Sequence, residues 1–179
     1  MSQSPEQASS LAEAGPLEAT KAEDPGAPPQ DYPQSSPIVR SRAAMTEIAV
    51  CDTCKHPDGV REKDGVTGGG LLLDAVRAAV EALPEADRSG LSVRGFSCLM
   101  SCSRACAASV GPAAGAAKTS YVLGGFEPSA AAAEALVGYA LGHVASEDGV
   151  VPYKTWPQGV KGKFVARIPP RPPKDEPET

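Results

Sequence analysis

Five cysteines, at positions 51, 54, 98, 102 and 106, all fall within residues 51–106 of a 179-residue chain. They make two groups, Cys51-x2-Cys54 and Cys98-x3-Cys102, with Cys106 a little further on. Each group follows a stretch with the pattern of a strand: Glu47 to Val50 before the first, and Leu91, Val93 and Phe96 before the second. In an open α/β sheet the loops at the carboxyl ends of neighbouring parallel strands lie together. Pairing these two strands would therefore bring four thiolates to one point in space. Four thiolates at such spacings suit a tetrahedral zinc ion or an iron–sulfur cluster. So soft a donor set disfavours magnesium and calcium.

The surrounding pattern supports such a pairing. Leu72, Val76, Val80 and Leu83 recur at helical spacing through Leu71–Leu83, and Pro84 ends the run. Ala107–Val110 and Ser120–Leu123 read as two further strands, joined across the Gly- and Ala-rich segment Gly111–Lys118. Ser129 is a suitable N-cap for a last helix reaching about Ala145, with Leu136, Tyr139 and His143 along one side. The expected order is strand, helix, strand, cysteine loop, strand, strand, helix. That order predicts an α/β fold, a small mixed sheet with flanking helices.

Composition locates the folded part. Residues 1–44 hold seven of the eighteen prolines and one aromatic residue, Tyr32. Such a segment buries too little apolar surface to offset an ordering cost of roughly 1–2 kcal/mol per residue. It reads either as a disordered tail or as sequence upstream of a natural start at Met45. Residues 169–179, with five prolines and three acids, read as a second extended tail. The body, 45–168, carries 13 acids and 12 bases and is long enough for its own core. Its charge balance argues against a nucleic-acid or anionic-membrane partner, and it has no long apolar run of a membrane span. Early glutamates and the lack of an apolar run after the start do not suit a secretory signal, so a reducing cytoplasmic location is expected.

Other residues invite competing readings. A disulfide framework would leave one of five thiols unpaired. A thiol–disulfide oxidoreductase built on Cys51 and Cys54 would want a helix N-terminus beside the pair, and the predicted helix begins well downstream, beyond Gly68-Gly69-Gly70. Those glycines lack the Lys and Ser/Thr of a phosphate loop and read as a flexible helix entry. Ala105-Cys106-Ala107-Ala108 reads as entry into a buried strand, with Cys106 packing as a small hydrophobe. His56, two residues after Cys54, is a candidate fourth zinc ligand, although a lone loop histidine is more often solvated. His143 reads as structural, Arg104 as a surface cation or a charge facing a cofactor, and Trp156 as part of a segment folding back over the sheet or docking a partner. The run Lys154, Lys161, Lys163, Arg167 and Arg171 reads as a solvated face.

The pattern Val50-Cys51-x2-Cys54, then Cys98-Leu-Met-Ser-Cys102-Ser-Arg104-Ala-Cys106, then Lys118-Thr-Ser-Tyr121-Val-Leu-Gly124 resembles a bacterial family of metal-binding proteins without a known function, domain of unknown function 1636. That family is related to the thioredoxin-like [2Fe-2S] ferredoxins. The resemblance continues through Asp148-Gly149-Val-Val-Pro152 and Arg167-Ile168-Pro169-Pro170. It implies a thioredoxin-like fold and a [2Fe-2S] cluster on Cys51, Cys54, Cys98 and Cys102. It also implies single-electron transfer to an unidentified redox partner protein, a non-enzymatic role, and a link to cobalamin or cobalt handling; a homodimer is one assembly open to it. The first cysteine pair is closer together than in those ferredoxins and Cys106 is extra, so Cys106 is an alternative ligand. Zinc, held for its own sake or for delivery, is the alternative cofactor.

Overall fold

In the computed structural model, residues 46–113 and 117–170 are described. The two expected tails fall largely outside these residues, and the tip of the hairpin connection, 114–116, also lies outside them. Strand β1 (Thr46–Cys51) is buried almost along its whole length, as befits the centre of a sheet. It leads through a two-stranded hairpin, β2 (Glu62–Lys63) and β3 (Val66–Thr67), into helix α1 (Gly68–Glu81). A single turn, α2 (Glu85–Arg88), and strand β4 (Leu91–Phe96) follow. After the cysteine loop come β5 (Ala108–Pro112), β6 (Ser120–Leu123), α3 (Ala130–Ala145) and β7 (Phe164–Ile168). The sheet order is β4-β1-β5-β6-β7, with β1 and β4 parallel and the remaining neighbours antiparallel.

The mixed α/β sheet with flanking helices expected from the sequence is therefore present. Its helices have local causes. The Ser129 hydroxyl accepts from the Ala132 amide at 3.3 Å, as an N-cap should. Leu72, Leu73, Val76 and Val80 of α1, and Leu136, Tyr139 and His143 of α3, are buried. The two helices pack against each other and against β1 and β4, meeting Ile48, Val50 and Val93. Toward β6 and β7 the core turns aromatic. Tyr121, Tyr139 and Phe164 meet edge to face at 5.3–5.7 Å.

Four expectations need correction, and one choice is resolved. The stretch 55–67 carries the β2–β3 hairpin rather than plain loop, and Phe164–Ile168 is a fifth strand of the main sheet. Alternation in β7 is weak because it is an edge strand, mostly exposed. Helix α1 begins at Gly68, so the three glycines are its first turn, where Gly68 and Gly69 lie too close to the Cys51–Lys55 backbone for a Cβ. Trp156 stacks on Phe164 at 4.2 Å and donates its indole N–H to the Val151 carbonyl at 2.8 Å, so of its two readings these contacts support the fold-back. The basic run is not simply solvated either: Lys161, Lys163 and Arg167 lie over the rings of Tyr153, Phe126 and Tyr121.

Candidate metal centre

Parallel pairing decides where the cysteines go. In the β1–β4 register Cys51 stands opposite Phe96, so the two strands end side by side. The Asp52 and Cys98 amides both donate to the Phe96 carbonyl, at 3.3 and 3.0 Å, tying the two loops to one anchor. On the other flank of β1 the Cys51 amide donates to the Ala107 carbonyl at 2.9 Å, which brings Cys106 alongside.

Glycine makes the approach of α1 possible. A Cβ on Gly69 would lie 1.9 Å from the Cys51 carbonyl oxygen and 3.0 Å from the Cys54 nitrogen; one on Gly68 would lie 2.8 Å from the Lys55 carbonyl. The Gly69 amide donates to the Cys54 carbonyl at 3.0 Å. Thr67 caps the helix, accepting from the Gly70 amide at 2.9 Å while its hydroxyl donates to the Asp52 carbonyl. The helix N-terminus thus sits against the Cys51–Cys54 turn, contrary to its distance in sequence. Its Gly69 and Gly70 amides both go to oxygens and not to a thiol.

The cysteine side chains surround a cavity of about 280 Å³. Its walls include Cys51, Cys54, Cys98 and Cys102, the cations Lys55 and Arg61, and Ser101 and Ala105. Cys51 and Cys54 are buried, Cys98 is half-buried and Cys102 is exposed, so the cavity opens on the Cys102 side. Cys106 is fully buried and stands behind Cys54 instead of on the wall. Among the described residues no three His, Cys, Asp or Glu side chains are placed to hold a metal ion.

The thiols influence one another. A hydrogen bond with Cys106, reinforced by burial, holds the Cys54 thiol far above the ordinary thiol range. The same hydrogen bond pulls Cys106 down. The neighbouring Cys98 charge raises Cys102. Cys98 also receives the Met100 amide at 3.4 Å, an N–H···S contact suited to a thiolate. That contact is bought with backbone strain, since Cys98 and Met100 sit at φ 97° and 53° without being glycines. Asp52 Oδ1, between the loops, is buried without a hydrogen-bond partner.

Other candidates resolve plainly. His56 is buried, and its Nε2 donates to the Val66 carbonyl at 3.0 Å, so it is not a solvated loop side chain. Arg104 donates to the Gly162 carbonyl at 3.0 Å, fastening the cysteine loop to the β6–β7 connection. A Cβ on Gly124 would lie 2.5 Å from the Arg104 carbonyl, which explains the glycine closing the Lys118–Gly124 stretch. His143 is structural as expected. Sequence reasoning missed Lys55 and Arg61, whose only signal was positive charge next to the first cysteine pair.

Fold and site together define a small α/β protein with a thiol-lined cavity at the ends of two parallel strands. A family model described as "Protein of unknown function (DUF1636)" matches residues 48–170, and the chain belongs to that family. No curated protein and no solved structure matches it. No helix among the described residues is long and apolar enough to cross a membrane.

Proposed function

We propose that this protein is a small electron carrier holding one [2Fe-2S] cluster through Cys51, Cys54, Cys98 and Cys102. The observation that carries the reading is one cavity lined by four cysteines from two loops distant in sequence. An all-sulfur donor set of two pairs suits a cluster of this kind, and the kinship with thioredoxin-like ferredoxins implied by the sequence points the same way. The cluster, when bound, supplies one-electron oxidation and reduction. The chain supplies the rest. Lys55 and Arg61 offset the negative charge that four thiolates bring, and the Met100 amide steadies Cys98. Burial of Cys51 and Cys54 keeps water from one side, while exposed Cys102 offers a short path to a partner protein. Electron transfer of this kind needs no acid–base residue.

Preparation of the full chain under anaerobic conditions tests the reading. Iron and acid-labile sulfide in equal amounts, with visible charge-transfer absorption, are the expected result. A colourless protein carrying stoichiometric zinc or cobalt and no sulfide would replace the electron carrier with a metal-holding or metal-delivering protein. Cys98→Ser and Cys102→Ser should each reduce the iron and sulfide content to background. Cys106→Ser should keep its colour; a bleached variant would move Cys106 into the ligand set.

A further inference from the structure

The Cys51–Cys54 turn is shaped by main-chain groups and by Thr67. The Asp52 amide donates to the Phe96 carbonyl at 3.3 Å, the Asp52 carbonyl accepts from the Thr67 hydroxyl, and the Gly69 amide donates to the Cys54 carbonyl at 3.0 Å. The Thr53 side chain takes no part in these bonds. It is exposed and stands on the cavity wall. Among the described residues its hydroxyl has one hydrogen-bond partner, Cys51 Sγ at 3.6 Å. A threonine that only shaped the turn would bond a nearby main-chain group with that hydroxyl; this one turns to a sulfur. Cys51 is 4% exposed, so water has little access to take the hydroxyl's place. Cys98 is served differently, by the Met100 amide at 3.4 Å, a donor that no side-chain substitution removes.

Ionisation fixes the direction of the bond. A thiolate has no proton to give, so the hydroxyl donates whenever Cys51 binds a metal. A hydrogen bond of this kind draws electron density from the ligating sulfur and favours the more negative state of the centre it holds. We propose that Thr53 is a positioning residue whose hydroxyl donates to the Cys51 thiolate and raises the reduction potential of the bound centre. The effect on potential rests on the cluster reading. The hydrogen bond to a metal-bound thiolate does not, since zinc or cobalt on the same sulfur would meet the same donor. The hydroxyl keeps its proton throughout, and reduction adds one electron from an external donor without making or breaking a bond at Thr53.

The test compares the full chain with Thr53→Val, which keeps the branched shape and loses the hydroxyl, and with Thr53→Ser, which keeps the hydroxyl. Each is prepared anaerobically and titrated with dithionite in the presence of redox mediators. Thr53→Val should hold as much iron and sulfide as the parent, yet its reduction should be about tenfold less favourable, a potential lower by about 59 mV for one electron. Thr53→Ser should lie near the parent. A Thr53→Val potential equal to the parent's overturns the proposal, as does a Thr53→Ser shift as large as that of Thr53→Val. A second measurement needs no cluster. Metal-free chains loaded with cobalt(II) should show thiolate-to-cobalt charge transfer at longer wavelength in Thr53→Val than in the parent and Thr53→Ser, because a sulfur without its hydrogen bond gives up an electron more readily. Coincident bands in all three overturn the hydrogen bond, and this comparison decides the matter where Thr53→Val holds no cluster. If the parent itself takes up iron without sulfide, or neither, the cluster reading fails while the cobalt bands still decide the role of Thr53.

Discussion

The two ends of β1 are built on opposite terms. At the Thr46 end the buried histidine, threonine and lysine all have partners. His143 Nε2 donates to the Thr119 carbonyl at 2.8 Å, and its Nδ1 accepts from the Thr46 hydroxyl at 2.9 Å. Since a carbonyl can only accept, Nε2 carries a hydrogen, and burial, which disfavours the charged ring, leaves Nδ1 to accept from the hydroxyl. The buried Lys118 ammonium donates to the His143 and Val144 carbonyls at 3.2 and 3.1 Å, closing the C-terminus of α3. The positive φ in this region, 78°, falls on Gly149, where a Cβ would also strike His143 and Thr119 at 2.7 Å. At the Cys51 end, positive φ falls on Cys98 and Met100, thiols face a cavity, and a carboxylate oxygen of Asp52 is left without a partner. The first set of contacts is satisfied from within the chain and acts as a clamp. The Cys51 end carries backbone strain and an unmet carboxylate oxygen, which in a native protein mark a place organised around something else.

The comparison can be broken at either end. The largest effect should come from His143→Ala, which leaves the Thr46 hydroxyl and the Thr119 carbonyl unpaired in the core and opens a void. A loss of about 4 kcal/mol is expected from these combined costs, read as a lower urea midpoint. A midpoint equal to that of the parent would mean that the clamp holds nothing. Gly69→Ala comes next. Its Cβ meets a backbone carbonyl that cannot swing aside, so a destabilisation of about 3 kcal/mol is expected, along with reduced iron and sulfide uptake because the Cys51–Cys54 turn must move. Unchanged uptake would detach the glycine from the site.

The smallest effect should be a dependence on pH. Burial lowers the pKa of His143 below its ordinary value, with Lys118 adding to the fall and the Thr119 hydrogen bond and Asp148 opposing it. Below about pH 6.5 the unfolded chain therefore binds a proton that the folded one resists. Stability should fall as pH drops from 7 toward 5, by at most about 1.4 kcal/mol per unit. Asp148, whose carboxyl is held below its ordinary range by the Val150 amide and the Ser146 hydroxyl, contributes a separate loss only in more acidic solution. Melting temperatures across this range check the first loss, which a stable His143 variant should lack.

Much of the architecture could be read locally. The spacing of Leu72, Val76 and Val80, the capping serine at 129 and the short apolar runs each act over a few residues, so they announced α1, α3 and four strands of the sheet. The edge strand β7 escaped because its side chains are mostly exposed and carry no clear alternation. The start of α1 escaped because three glycines favour no helix by propensity. Their place in the first turn comes from packing against Cys51 and Cys54, which no local rule contains.

Taken alone, the chain determined which residues bear the chemistry: five cysteines, no usual acid–base constellation, and strands that deliver those cysteines at their ends. Tertiary structure decided how they are divided. It ranged Cys51, Cys54, Cys98 and Cys102 around one cavity, set Cys106 against the Lys55 carbonyl, spent His56 on a hairpin and tied Arg104 to Gly162. The reason is physical. Propensity and capping are short-range, whereas the neighbours of a thiol depend on the register between strands far apart in the chain, and a shift of one residue would turn each side chain to the opposite face.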